Sequence, residues 1–430
     1  MVHMLIARAD GTIYDHPEFA LAGRSGFDVV PVSDRDLMPL PRGSTLFTIP
    51  DARPLGWQNN KVRWVSEMDG EAVSAVAAFL PSGYTRTLLP ATLYEVPPAE
   101  YLPLWSYTAV GMAENGAFVA AAVPSDPLRT RFDPCDYDDT PLPGIVRERL
   151  GQSPDNRLLR HLGRCAMEYH CFAAKNLFFG RWEAPLPTAP GCNARCIGCI
   201  SLQPPDGCAA SHERIPFVPT PDEIADTAVG HLESAEDAIV SFGQGCEGEP
   251  LTQADAIEEG IRAIRSATDR GTIHLNTNGY APERIRHMAR AGLDSIRISM
   301  SSTIRPLYEA YHNPVGYEFN QVTESVRTAV DAGLFTSINL FVFPGVTDRE
   351  AELESLVSLI GDSGLNMIQA RNMNIDPELY LKHVPIPGGE ALGVRTFLKT
   401  LRREFPSLEI GYYNRPKRLF TERLCEQLPW

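Results

Sequence analysis

No stretch of about 18 apolar residues occurs in this chain, so no membrane-spanning helix is expected. The first residues, MVHMLIARADGTIYDHPEF, carry one short apolar patch and early charges. A basic segment followed by an apolar one is missing, so an export signal is not expected either. Positive charge is in deficit: 39 Lys and Arg stand against 54 Asp and Glu, a formal net charge of −15. A phosphate-backbone binder is normally basic, which disfavours nucleic acid as a partner. Cysteine is sparse and odd in number, nine in 430 residues, which argues against a closed disulfide framework. Without an export signal, the expected compartment is a reducing cytoplasm.

What is present is enough chain for two or three domains with a sizeable core. Residues 1–125 read as short strands and turns. Asp10-Gly11, Asp69-Gly70 and Asn115-Gly116 each lie between strand-like segments, where positive φ angles suit a tight hairpin. No catalytic constellation falls in this β-rich part, whose expected role is substrate or partner recognition. Residues 126–183 read as a Pro- and Asp-rich linker followed by one helix over 155–179. Cys165 and Cys171 fall in that helix about 240° apart, which disfavours joint ligation of one metal. From 184 to 385, strand candidates near 184–189, 237–245, 272–279, 295–302, 336–345 and 366–375 alternate with helix candidates at 221–234, 253–268, 282–291, 317–332 and 349–363. Repeated strand-helix units predict an α/β fold with a parallel sheet and outer helices, here a partial six-stranded (β/α) barrel. Residues 386–430 read as a short C-terminal helix and an irregular tail.

Three cysteines in eight residues, Cys192, Cys196 and Cys199, form "CNARCIGC", a C-x3-C-x2-C spacing. A closed zinc site or a ferredoxin-type cluster site wants four ligands. Three thiolates on one loop can instead hold three irons of a cubane and leave the fourth open to an outside ligand. An open metal position is what metal chemistry on a substrate requires. Gly191 and Gly198 let the backbone wrap closely around such a group.

Placed after a first strand and before strand-helix repeats, "CNARCIGC" resembles the signature of the radical S-adenosylmethionine (radical SAM) superfamily. The resemblance spans roughly residues 184–375. It extends to "GEP" at Gly248, Glu249 and Pro250, which resembles the family's second-strand motif holding the methionine ammonium. It extends further to "NTNG" with Asn276 and Asn278, to Ser299 and Ser301 in "SMSS", to "FPG" ending at Gly345, and to "IQARN". The resemblance implies a [4Fe–4S] cluster on Cys192, Cys196 and Cys199, with S-adenosylmethionine contacted by the other residues just named. It implies an enzyme that cleaves S-adenosylmethionine reductively, makes a 5′-deoxyadenosyl radical and takes hydrogen from a peptide, protein or small-molecule substrate. An electron donor such as flavodoxin or ferredoxin is implied with it.

Two departures stand out. Gly198 occupies a position where the family commonly has a bulky residue over adenine, so the adenine must be packed by something else. Cys246, within the second-strand motif, has three readings: a packed thiol, a hydrogen-atom donor, or a ligand to a second cluster. A second cluster in the C-terminal region is not expected, since that region has Cys425 alone; one built from Cys208, Cys246 and Cys165 or Cys171 has no supporting spacing. His312, on the loop after the fourth strand, could touch substrate but reads rather as a helix-start or surface histidine. The rival function is a non-catalytic metal- or iron–sulfur-binding interaction protein. It does not require the ordered motifs at successive strand ends.

Overall fold

Seven strands lie side by side in chain order and all run parallel. They are β1 (Arg181–Pro185), β2 (Glu236–Phe242), β3 (Thr272–Thr277), β4 (Ser295–Met300), β5 (Phe335–Val342), β6 (Met367–Asn372) and β7 (Glu409–Gly411). The computed structural model describes residues 1–49, 51–94, 105–203 and 210–430. β3 is buried along its whole length, as a parallel strand covered on both faces should be. Eleven helices are found among the described residues: α1 (Leu142–Gln152), α2 (Arg157–Met167), α3 (Phe172–Phe179), α4 (Pro221–Ser234), α5 (Ala254–Ala267), α6 (Pro282–Ala291), α7 (Arg305–His312), α8 (Phe319–Asp331), α9 (Glu350–Ser363), α10 (Pro377–His383) and α11 (Val394–Glu404). None of them is long and apolar enough to cross a membrane.

The local causes are ordinary. α4 begins with a full capping box, Thr220 and Glu223 each satisfying the other's backbone, with Pro221 at its first position. α6 ends on Gly292 at a φ of 114°, a left-handed cap. The five core helices expected from periodicity are α4, α5, α6, α8 and α9, within two residues at each end. Sequence periodicity missed four elements. α1 lies in what reads as a linker. α7 and α10 are too short to show a period. β7 hides in the tail and continues the sheet from β6. The helix expected over 155–179 is broken: His170 adopts a φ of 52° between α2 and α3. That break is what separates Cys165 from Cys171, rather than their angle on one helix.

The N-terminal region forms a fifteen-stranded antiparallel sheet system whose last strand is Phe118–Pro124. All three expected hairpin glycines have positive φ, 85° at Gly11, 82° at Gly70 and 79° at Gly116. This sheet is fastened to the barrel at the ends of β5 and β6. The Thr85 hydroxyl donates to the Ala370 carbonyl at 2.6 Å, and the Asn372 side chain bridges Arg86 N–H (2.8 Å) and the Tyr84 carbonyl (2.9 Å). Leu89 and Trp105 share one apolar cluster with Tyr311, Phe343 and Tyr380 of the barrel.

The tail is held by a buried ion network. One Asp126 oxygen accepts from Tyr412 N–H (2.8 Å), Tyr413 N–H (3.1 Å) and the Arg415 guanidinium (2.8 Å), and Arg415 also reaches Glu409 at 3.1 Å. All three charged groups are almost fully excluded from solvent. Removing one partner of such a network leaves a buried charge uncompensated. Asp126→Ala should therefore destabilise the protein by roughly 3–5 kcal/mol, measured by urea unfolding. A loss under about 1 kcal/mol would mean that solvent reaches Arg415.

Candidate functional site

The loops after β1, β2 and β3 and the inner faces of β4, β5 and β6 enclose an open cavity of ≈ 370 Å³. Cys192, Cys196 and Cys199 lie at its rim with Gly248, Glu249, Pro250, Asn276, Asn278 and Ser299. Those nine expected site residues are therefore brought together. Three others are not among the lining residues. Ser301 lies just behind, its hydroxyl buried and without a partner. Gly345 packs against the N-terminal sheet: a Cβ there would sit 2.1 Å from Gly26 N, and Gly26 N–H donates to the Pro344 carbonyl at 2.8 Å. Its glycine serves that close approach rather than a cofactor contact. Cys246 is buried outside the lining, its thiol beside Cys165 and His161 of α2.

The cysteine loop and the β2 loop interlock. A Cβ on Gly248 would lie 1.9 Å from the Gly191 carbonyl oxygen, so the approach is open to glycine alone. Gly248 N–H donates to Ala189 (2.6 Å) and Glu249 N–H to Gly191 (2.9 Å). Glu247 completes the lacing. One of its oxygens accepts from Thr188 N–H (2.7 Å), Thr188 hydroxyl (3.1 Å) and Ala189 N–H (2.9 Å), and the other from Gly243 and Gln244 N–H. Burial pushes its pKa up to about 7 against these donors. Glu247 is thus fully engaged and unavailable to a ligand. Glu249 accepts from Leu251 N–H (3.0 Å), Asn278 N–H (2.7 Å) and the Thr277 hydroxyl, and burial pushes it up to about 7 as well. Three donors leave one acceptor direction on Glu249 free. Asn278 carries the lacing back to the cysteine loop, donating to the Asn193 side chain at 2.8 Å.

The thiols differ in environment. Burial raises Cys192 and raises Cys196 further, with the neighbouring thiols adding to the latter. At Cys199 burial also pushes upward, but the Ser201 hydroxyl at 3.5 Å and the Arg214 guanidinium at 3.6 Å outweigh it and hold the thiol below its usual range. His312 is a residue that sequence reasoning misplaced. It is buried at the end of α7, not at a helix start or on the surface. Burial lowers its pKa to about 3, so the ring is neutral. Its Nε2 accepts from Ser301 N–H at 3.3 Å, which puts the proton on Nδ1, and Nδ1 donates to Cys196 Sγ at 3.4 Å. Such a donor steadies a thiolate and tunes whatever metal it binds. Tyr311 was also missed. A Cβ on Gly198 would meet its hydroxyl at 2.8 Å, so Tyr311 fills the space that a bulky residue at 198 would take.

Further into the cavity the lining is polar. Arg297 donates to Gln369 at 3.0 Å and Arg371 to the Tyr412 carbonyl at 3.0 Å; among the described residues neither lies within ion-pair distance of a carboxylate. Glu183, the nearest acidic group acting on Arg297, is engaged by Ser241 (2.6 Å), Gln244 (2.8 Å) and Asn414 (2.8 Å). Burial and Arg371 push Arg297 well below the usual guanidinium range. Arg297 Nε, Asn339 Oδ1 and Asn374 Oδ1 are buried lining atoms without a partner, a pattern that calls for a ligand.

A second group of potential ligands lies outside the cavity. His161, Cys165 and Cys246 present ligand atoms all within 4.8 Å of one another. The neighbouring Cys246 thiol holds the Cys165 thiol down, while Cys165 and burial push the Cys246 thiol well up. Cys208, named above for a second cluster, lies outside the described residues.

Residues 186–357 match the family model described as the Radical SAM superfamily. A curated protein, the probable GTP 3′,8-cyclase of Methanosarcina acetivorans, is 30% identical over 136 residues, 31% of this chain and 39% of that one. Among solved structures, the [FeFe]-hydrogenase maturase HydG is 14% identical with a TM-score of 0.38, covering 64% of this chain and 63% of its own. A radical SAM methyltransferase from Sphaerobacter thermophilus is 16% identical with a TM-score of 0.37, covering 57% and 70%. The chain thus spans well under half of the curated relative it matches.

Radical SAM proteins use a [4Fe–4S] cluster and S-adenosylmethionine, and the residues fit both. Three thiols on one loop leave a metal centre open to an outside ligand, and the interlocked loops and the unpartnered polar atoms lining the same cavity suit a polar organic ligand.

Proposed function

We propose, from the radical SAM domain that residues 186–357 constitute, that this protein is an enzyme generating a 5′-deoxyadenosyl radical to take hydrogen from a substrate held in the β4–β6 cavity. The observation that carries the proposal is the interlock of the three-thiol loop with the Glu247–Glu249 loop at the mouth of that cavity. When bound, cluster and S-adenosylmethionine together supply reductive cleavage of a sulfonium C–S bond. Cys192, Cys196 and Cys199 would hold the cluster, and His312 orients Cys196. Glu249 would accept the methionine ammonium in its free acceptor direction, with Asn276, Asn278, Ser299 and Ser301 as polar neighbours. Tyr311 supplies an aromatic wall in place of a side chain at 198. Burial of these groups excludes water, which a radical reaction needs. A non-catalytic zinc protein would need neither the interlock of the two loops nor the polar cavity. An electron donor such as flavodoxin or ferredoxin belongs to this reading. The test is anaerobic reconstitution, reduction with dithionite and detection of 5′-deoxyadenosine. We expect about four irons per chain and 5′-deoxyadenosine in the native protein, and neither in Cys192→Ala/Cys196→Ala/Cys199→Ala. Iron and product surviving in that variant would sink the assignment.

Glu249 gives a pH-dependent test. Its carboxyl is protonated below about 7 and attracts an ammonium only above it. S-adenosylmethionine affinity should rise from pH 6 to pH 8 in the native protein. Glu249→Gln should bind roughly 10- to 150-fold more weakly at pH 8, the equivalent of a charge-assisted hydrogen bond of about 1.5–3 kcal/mol. A variant that keeps both affinity and pH slope would move the ammonium elsewhere, and Glu247 is already engaged.

The substrate in this reading is an anion. Two guanidinium groups face the cavity, and the one carboxylate acting on Arg297 does not hydrogen-bond to it. A carboxylate or phosphate would offset that charge bidentately. The claim covers either a small metabolite or an acidic peptide segment. In a thermal-shift panel of matched compounds with and without the anionic group, stabilisation should follow the anion and vanish in Arg297→Met. If neutral partners stabilise equally, or if Arg297→Met instead weakens S-adenosylmethionine binding, the anion site is misassigned.

A further inference from the structure

None of His161, Cys165 and Cys246 lines the cavity. His161 and Cys165 are four residues apart on α2 and so share one face of the helix. His161 Nε2 and Cys165 Sγ are 3.6 Å apart, and Cys246 Sγ falls within 4.8 Å of both. Cys246 arrives from another element, the loop between β2 and α5. Both cysteines are buried, and His161 is half-buried at the edge.

We propose that these three side chains bind a single zinc ion. Tetrahedral coordination with Zn–S of about 2.3 Å and Zn–N of about 2.0–2.1 Å puts neighbouring ligand atoms roughly 3.5–3.8 Å apart. The observed imidazole–thiol distance already meets that, and the third ligand needs a shift of about 1 Å at most. The spacing suits one ion and is too tight for a cubane. Charge points the same way. Two buried thiolates are costly alone, while two thiolates, a neutral imidazole and a divalent cation sum to zero. Binding releases the two thiol protons to solvent. Two thiolates and an imidazole are the soft donor set that selects zinc over calcium or magnesium. No fourth potential ligand falls within the same radius among the described residues, so these three side chains leave the fourth position to a further donor. The ion would fasten α2 to the loop that carries Glu247, Gly248 and Glu249. Its role is to hold that loop, not to act on substrate.

The experiment is metal analysis of the full-length chain, purified anaerobically without added iron. It is run on the native protein and on Cys192→Ala/Cys196→Ala/Cys199→Ala, where the rim thiols cannot take up zinc. The expected result is one zinc per chain in both. Cys246→Ser or Cys165→Ser, added to the triple variant, should lower zinc content at least tenfold, and His161→Gln should make it removable by mild chelation. Cobalt(II) added to the triple variant after its zinc has been stripped with a chelator should give a thiolate-to-cobalt charge-transfer band that Cys246→Ser abolishes, a readout that needs no activity. Absence of zinc together with absence of that band would overturn the proposal. So would equal metal content with and without Cys246, or an intact mass showing a Cys165–Cys246 disulfide in the anaerobic protein. Because the triple variant cannot assemble the radical cluster, the outcome is independent of the proposed enzymatic function.

Discussion

The close backbone contact between Gly191 and Gly248 is the constraint on which the site depends. A carbonyl 1.9 Å from where a side chain would begin leaves room for nothing but hydrogen. Two loops from different strands are thereby locked in register, and two backbone hydrogen bonds and the Glu247 carboxylate keep them there. The thiol loop has no regular secondary structure of its own. Its position is borrowed from β1 through Thr188 and Ala189 and from β2 through the Glu247–Glu249 loop. That placement puts three thiols and a partly free carboxylate beside each other with little freedom to drift, the condition for orienting a bulky ligand.

Burial of charge organises the rest of the cavity. Glu247 and Glu249 differ by two positions and have similar burial, yet they do different work. Five donors converge on Glu247 and close it off; three on Glu249 leave a direction open. Deeper in, the sign reverses. Arg297 and Arg371 carry positive charge into a low-dielectric space where the nearby Glu183 is engaged by neutral donors. A guanidinium does not deprotonate to relieve such a cost. The cavity lining thus brings carboxyl groups on the β2 loop and guanidinium groups on β4 and β6 into one space.

The barrel was legible because β2 to β6 and five of the helices carry strong periodic or apolar patterns. The cysteine spacing and "GEP" were legible because their chemistry depends on neighbours in sequence. What sequence could not show depends on neighbours in space. Gly198 looks like a missing contact until Tyr311, 113 positions later, is found against it. His312 reads as a surface histidine because α7 is short, but the helix turns it inward onto Cys196. Gly345 fits a motif by its order along the chain, yet its contact is with Gly26 of the other sheet. Cys165 and Cys246 are 81 positions apart with no spacing rule to connect them, and only the packing of α2 against the β2 loop brings them together.

The N-terminal sheet has a physical connection to this chemistry that its lack of catalytic motifs conceals. It does not hang from a linker. Trp105 and Leu89 are part of the same apolar cluster as Tyr311, Phe343 and Tyr380, and Cys196 and Ile197 pack on that cluster from the cysteine loop. Tyr311 touches both sides: its ring meets Phe341 and Tyr380, and its hydroxyl fills the space beside Gly198. Arg86 sets the other edge, donating to the carbonyls of Tyr107 and Met373 and so tying the sheet to the strand end that bears Arg371 and Asn372. Close-packed interiors transmit displacement rather than absorb it. None of the cavity's lining residues comes from the N-terminal sheet, but the sheet shares its core with the thiol loop on one side and is tied on the other to the strand end that bears Arg371, so it backs the residues that do line it.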